Sequence, residues 1–114
     1  MNDLNLDISR DVLFGIAQLA LDKVEGISPN TPPVRMGEIL TGRRAKGISV
    51  EQEDGNVNIS LTVRVQYGQV IPDLAKAAQK AIRESISSMT GLKVNTVDVT
   101  VVAIDLPEEL AISG

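Results

Sequence analysis

A two-layer α+β sandwich is the architecture that these 114 residues call for: a three- to four-stranded mixed sheet with two helices on one face, in the order strand, helix, hairpin, helix, strand. Three features carry this expectation. Asp54-Gly55 lies between two segments of alternating apolar and polar residues, the strongest short-range hairpin signal. Two stretches, one after Ser9 and one around Pro72, repeat their apolar residues at helical spacing. A last alternating run from Val97 to Ala103 ends before Pro107.

Leu4, Leu6 and Ile8 alternate with Asn5 and Asp7, which predicts a short first strand with one buried face. Ser9 then offers a hydroxyl to an orphan amide of a first helical turn, with Ile8 placed to pack on Leu13 as a hydrophobic staple. The helix is expected to run to about Lys23, burying Leu13, Ile16, Ala17, Ala20 and Val24. Phe14 and Leu21, seven residues apart, fall on a flank that a helix covering a single sheet need not bury.

Residues 27–46 break the pattern. Pro32 and Pro33 exclude a helix through them, whereas Met36 to Leu40 have room for a single turn. The segment exceeds an ordinary connection, so it is read as a functional surface loop or a packed irregular segment within one domain spanning 1–114. In the hairpin that follows, a two-residue turn at 54–55 sets Gln52 opposite Val57, Val50 opposite Ile59 and Ile48 opposite Leu61. That register puts the apolar residues of both strands on one face.

The second helix is expected to carry Pro72 in its first turn, to bury Ile71, Leu74, Ala78, Ile82, Ile86 and Met89, and to stop at Gly91. In the last strand Val97, Val99, Val101 and Ala103 should share one face, and Asp98, Thr100, Val102 and Ile104 the other. A right-handed crossover places the second helix on the face of Val57 to Val65, leaving Asn58, Ser60, Thr62 and Arg64 to solvent. The tail 108–114 is expected to be flexible.

Composition limits function. The chain has no Cys and no His, so it has no disulfide, no thiolate or imidazole metal site, and no Cys or His catalytic group. No cofactor is expected, and no catalytic residue is assigned. A net charge of −4, with Phe14 and Tyr67 as the two aromatics, argues against phosphate backbones, anionic lipid and base stacking. The opening MNDLNLDISR lacks the features of a signal peptide, and no apolar run approaches the ~20 residues that span a bilayer. The expectation is a cytoplasmic protein without direct membrane insertion.

Four features are candidates for chemistry. Arg43, Arg44 and Lys46, between Gly42 and Gly47, are the densest positive charge, and read either as a solvated turn or as a seat for an acidic partner segment or a phosphate. Lys76, Lys80 and Arg83 form a helical stripe that pairing with Asp73 and Glu84 accounts for. Glu51, Glu53 and Asp54 crowd a convex hairpin tip rather than a cleft. Phe14 and Leu21 either pack under the long loop or form a self-association surface.

Several runs resemble the bacterial alkaline shock protein family, also called envelope stress response proteins. They are Lys46-Gly-Ile-Ser-Val-Glu, Glu53-Asp-Gly-Asn-Val, Tyr67-Gly-Gln-Val-Ile-Pro, Met89-Thr-Gly-Leu-Lys-Val and Val97-Asp-Val-Thr-Val. Ile8-Ser-Arg-Asp-Val and Val24-Glu-Gly-Ile are similar to that family's first helix, so the resemblance covers roughly residues 4 to 107. It implies a non-enzymatic cytoplasmic protein linked to envelope stress and acting through protein association near the membrane, and the expectation drawn from all of these features is a homo-oligomer that docks to an envelope-associated, membrane-anchored protein partner. No residue role transfers with it. The segment 28–36, SPNTPPVRM, departs from the family's glycine-rich stretch, which would alter any partner contact made there.

The rival expectation is a nucleic-acid-binding module of KH-like character, since helix, hairpin, helix, strand is one arrangement of that fold. Such modules clamp the backbone with a GxxG loop between two helices. Gly42 to Gly47 has the wrong spacing and precedes a strand.

Overall fold

A computed structural model describes residues 7–30 and 47–107 of the chain. It contains α1 (Arg10–Asp22), β1 (Ile27–Pro29), β2 (Ile48–Glu53), β3 (Asn56–Gln66), α2 (Ile71–Thr90) and β4 (Lys93–Asp105). The strand expected around Leu4 and Leu6 lies outside these residues, and Ile8 precedes α1 without joining a strand, packing against the core. The turn expected at Met36 to Leu40 and the tail 108–114 also lie outside them.

Ser9 caps α1 as its sequence suggests: its backbone is extended and its Oγ accepts from the Val12 N–H at 3.3 Å. The helix buries Leu13, Ile16, Ala17, Ala20 and Leu21. Leu21, on the flank that a single sheet need not bury, is completely buried and so is not part of a self-association surface, and Phe14 is half-buried against the same core. The cause is a second neighbour. α1 packs on β1 and β2 and also on α2, so its apolar stripe must be wider than one sheet contact requires.

The hairpin forms in the expected register, with Ile48 opposite Leu61, Val50 opposite Ile59 and Gln52 opposite Val57. Asp54 and Gly55 have φ of 49° and 79°, the paired positive values of a tight turn whose twist suits the flanking strands. β1 was not expected. It pairs antiparallel with β3, Ile27 to Val65, Ser28 to Arg64 and Pro29 to Val63. Proline is tolerated because Pro29 sits opposite a residue that bonds elsewhere, so no ladder donor is lost.

β3 is central. On one edge it meets β2 along 56–61 and β1 along 63–65, and on the other edge it pairs in parallel with β4 over its whole length. Thr62 marks the handover between β1 and β2: its N–H donates to the Gly47 carbonyl at 2.7 Å and its carbonyl accepts from Asn30 at 2.8 Å. The mixed sheet buries Val57, Ile59, Leu61, Val63 and Val65 beneath the helices, and no polar or charged side chain is buried among the described residues.

Pro72 lies in the first turn of α2, and Gly91 ends the helix at φ 75° with its N–H on the Ser87 carbonyl. Leu74, Ala78, Ile82 and Ile86 are buried, but Ile71 and Met89, expected in the same stripe, are exposed. Both belong to the terminal turns. The 13-residue α1 is too short to flank both ends of the 20-residue α2.

β4 begins at Lys93, earlier than its alternation suggests, and carries two register shifts against β3, at Asn95 and Val102. The second corrects the expected faces. Beyond Val102 the phase moves by one, so Ala103 stands beside the outward-facing Arg64 and Ile104 beside the inward-facing Val65.

Candidate functional site

The polar side chains that converge do so at one end of the sheet's open face. Arg64 projects from β3 away from the helices, since its neighbours Val63 and Val65 are buried and side chains alternate along a strand. Its Nε donates to Asp105 Oδ1 at 2.9 Å, its Nη2 to the same oxygen at 2.5 Å, and its Nη1 to Asn30 Oδ1 at 3.1 Å. One guanidinium therefore ties the end of β1 to the end of β4 across the central strand. The half-exposed ion pair holds the Asp105 carboxyl below its ordinary range and Arg64 above its own, in each case chiefly through the shared hydrogen bonds. Neither group is poised to exchange a proton near neutral pH, so the cluster fastens strands rather than acting as acid and base.

Asn30 is also where the chain leaves the sheet before residues 31–46, and Gly47 is where it returns. The two points are in contact. A Cβ built on Gly47 would lie 2.8 Å from the Asn30 backbone nitrogen, 2.8 Å from Pro29 Cβ and 3.0 Å from the Thr62 carbonyl oxygen. Asn30 and Gly47, the described residues on either side of 31–46, thus meet opposite Thr62, with Arg64 holding the Asn30 side chain. Arg43, Arg44 and Lys46 belong to this loop and lie outside the described residues.

Beside the ion pair, Gln66, Tyr67, Asp105, Leu106 and Pro107 line a cavity of about 220 Å³. The Tyr67 N–H donates to the Asp105 carbonyl at 2.9 Å and fixes one wall, and Tyr67 and Leu106 are both more than half exposed. The other feature is β4 itself. Among the described residues no strand pairs with its outer edge, along which Val99 and Val101 are half-buried and Val102 and Ile104 are about half exposed.

The structure does not bring the sequence candidates together. Leu21 is core and Phe14 packs against it, Glu51, Glu53 and Asp54 stay exposed at the hairpin tip, and Lys76, Lys80 and Arg83 stand along α2. Among the described residues no three acidic, His or Cys side chains cluster as metal ligands would. α1 and α2 are separated by β1, β2 and β3, so no loop joins one directly to the other as a KH-like clamp requires. No described helix is long and apolar enough to cross a membrane. Sequence reasoning missed Arg64 and Asp105, whose only signal was an isolated cation on a polar strand face and an acid just before Pro107.

No solved structure matches the chain. Three bacterial proteins do, each carrying the description uncharacterized protein. YqhY of Bacillus subtilis (strain 168) is 27% identical over 107 residues, which are 87% of this chain and 76% of the relative. YloU of the same organism is 29% identical over 101 residues, 84% of each chain. Spy1535 of Streptococcus pyogenes serotype M6 is 26% identical over 95 residues, 82% of this chain and 74% of the relative. Residues 1–106 match the profile of the alkaline shock protein 23 family, described as having a cell envelope-related function, and the chain belongs to that family.

Proposed function

We propose that this protein is a non-enzymatic interaction module of the envelope stress response, which self-associates and docks from the cytoplasm onto an envelope-associated protein at the inner face of the cell membrane. The observation that carries this is the distribution of polarity. The described interior is wholly apolar, the outer edge of β4 carries no further strand among the described residues, and the basic segment Arg43, Arg44 and Lys46 lies in sequence between Asn30 and Gly47, which meet at the sheet. Those are means of holding other chains. The family's envelope-related function supports the location. Arg43, Arg44 and Lys46 are the proposed contacts to an acidic segment of the docking partner, because they are the densest positive charge in an otherwise acidic chain.

Sedimentation with inverted membrane vesicles tests the docking. Wild type should co-sediment with native vesicles, lose binding when the vesicles are first stripped with protease, and lose it again with Arg43, Arg44 and Lys46 all changed to Glu. Equal binding to protein-free lipid vesicles, or none to native ones, would overturn the reading.

A further inference from the structure

We propose that the open edge of β4 is a self-complementary seam, on which a second copy of this chain pairs antiparallel about a two-fold axis at Val99. The proposal rests on the self-association reading above and names its surface. A strand residue turns its N–H and C=O to the same edge, and successive residues alternate. The bonds of Thr62 to Gly47 and Asn30, and of the Gln66 N–H to Gly26, turn the even-numbered residues of β3 toward β1 and β2. Val57, Ile59, Leu61, Val63 and Val65 therefore face β4.

In a parallel ladder each of these bonds to the two residues flanking its register partner. Ile59 beside Val97, Leu61 beside Val99 and Val63 beside Val101 then commit Thr96, Asp98, Thr100 and Val102 to β3 and leave the three valines facing the open edge. Val94 and Ile104, beside Val57 and Val65, face outward by the same rule. The Lys93 N–H on the Gly55 carbonyl and the Tyr67 N–H on the Asp105 carbonyl fix that phase at both ends. The Gln79 amide donates to the Val97 carbonyl at 2.9 Å, as an outward-facing acceptor allows, and a carbonyl keeps a second lone pair for another donor.

The outward-facing set, Val94, Val97, Val99, Val101 and Ile104, reads the same from either end. About Val99, Val97 mirrors Val101 and Val94 mirrors Ile104, because the shifts at Asn95 and Val102 fall one on each side. Neighbouring registers fail. Centring the axis on Thr100 sets Ile104 against Thr96, whose backbone is committed to β3, and centring it on Asp98 sets Ile104 against Leu92, which precedes the strand. Charge agrees with the mirror. The Val99 register places Lys93 opposite Asp105 of the second copy, twice by symmetry, with both on the sheet's outer face. The edge has no internal proline or lysine to block pairing, and pairing would cover the partly buried Val99 and Val101 and the half-exposed Ile104.

Light scattering on the eluting protein is expected to give twice the 12.2 kDa chain mass. Val99→Pro removes an N–H that the single copy does not use, so it should give the single-chain mass with an unchanged circular dichroism spectrum. Because the chain has no cysteine, Val99→Cys should crosslink to its own copy under mild oxidation, the opposed Cα atoms of such a pair lying about 5.5 Å apart. Val97→Cys and Val101→Cys should crosslink when mixed and not alone. A monomeric wild type overturns both the seam and the self-association reading. A dimer that fails to crosslink through Val99→Cys overturns the seam alone.

Discussion

Arg64 holds a single oxygen of Asp105 with two of its nitrogens, across strands joined only through the crossover of α2. That contact exists because Val102 is bulged out of the ladder. Without the shift at that residue the alternation Val97, Val99, Val101, Ala103 would carry Asp105 onto the helix-facing side, and a buried carboxylate without a partner would destabilise the sheet.

The contact gives stability a pH dependence of known sign. Asp105 is held below its ordinary range when folded, so its contribution is fully present above the unfolded value of about 3.9 and is lost as pH falls through the lower folded value. Thermal unfolding of wild type and Asp105→Asn between pH 7 and pH 3 should show wild type melting higher at neutral pH and the gap closing in acid. A gap independent of pH would mean that shape, not charge, holds the strands.

Gly47 and Gly15 should respond oppositely to alanine. At Gly47 the added methyl meets backbone and a proline ring at 2.8 Å, which cannot swing aside, and overpacking of that kind costs about 1–3 kcal/mol. At Gly15, inside α1, nothing lies within 4 Å of the new Cβ, and the better helix former should add about 0.5–1 kcal/mol. Urea denaturation of the two variants measures both.

Leu21 offers a test of the corrected core. Leu21→Ala should cost about 2–5 kcal/mol in urea denaturation, as for any fully buried leucine, without a change in the denaturant slope. A change within about 0.5 kcal/mol would be the mark of a surface residue.

The parts of the fold legible in the sequence were those decided by neighbours in the chain. Ser9, Asp54-Gly55, Pro72 and Gly91 each act within a turn, and the hairpin register follows from matching two adjacent alternations. What escaped depended on partners far away. β1 is three residues containing a proline, with no alternation to reveal it, and it is a strand only because the second half of one β3 edge is left free beyond β2. Leu21 is fully buried in an α1 that packs on α2, an element some fifty residues on, as well as on the sheet. Arg64 and Asp105 are ordinary surface residues until a shifted strand sets them face to face, so the site was the least legible part of all.

Deleting Val102 separates what the shift does inside the molecule from what it does at the edge. The residues on either side already pair in step with Val63 and Arg64, so removing the extra one closes the ladder without changing any β3 to β4 partner. The fold and the Arg64 contact to Asp105 should survive, with a melting temperature within a few degrees of wild type. The mirror about Val99 does not survive. Val97 still meets Val101, but Val94 now meets the position of Asp105, whose backbone belongs to β3, and Lys93 loses its opposite charge. Equilibrium sedimentation should therefore show a folded protein whose dimer dissociates at about tenfold lower dilution, a loss near 1.4 kcal/mol. Undiminished association in the deletion variant would place the self-association surface elsewhere than on this edge.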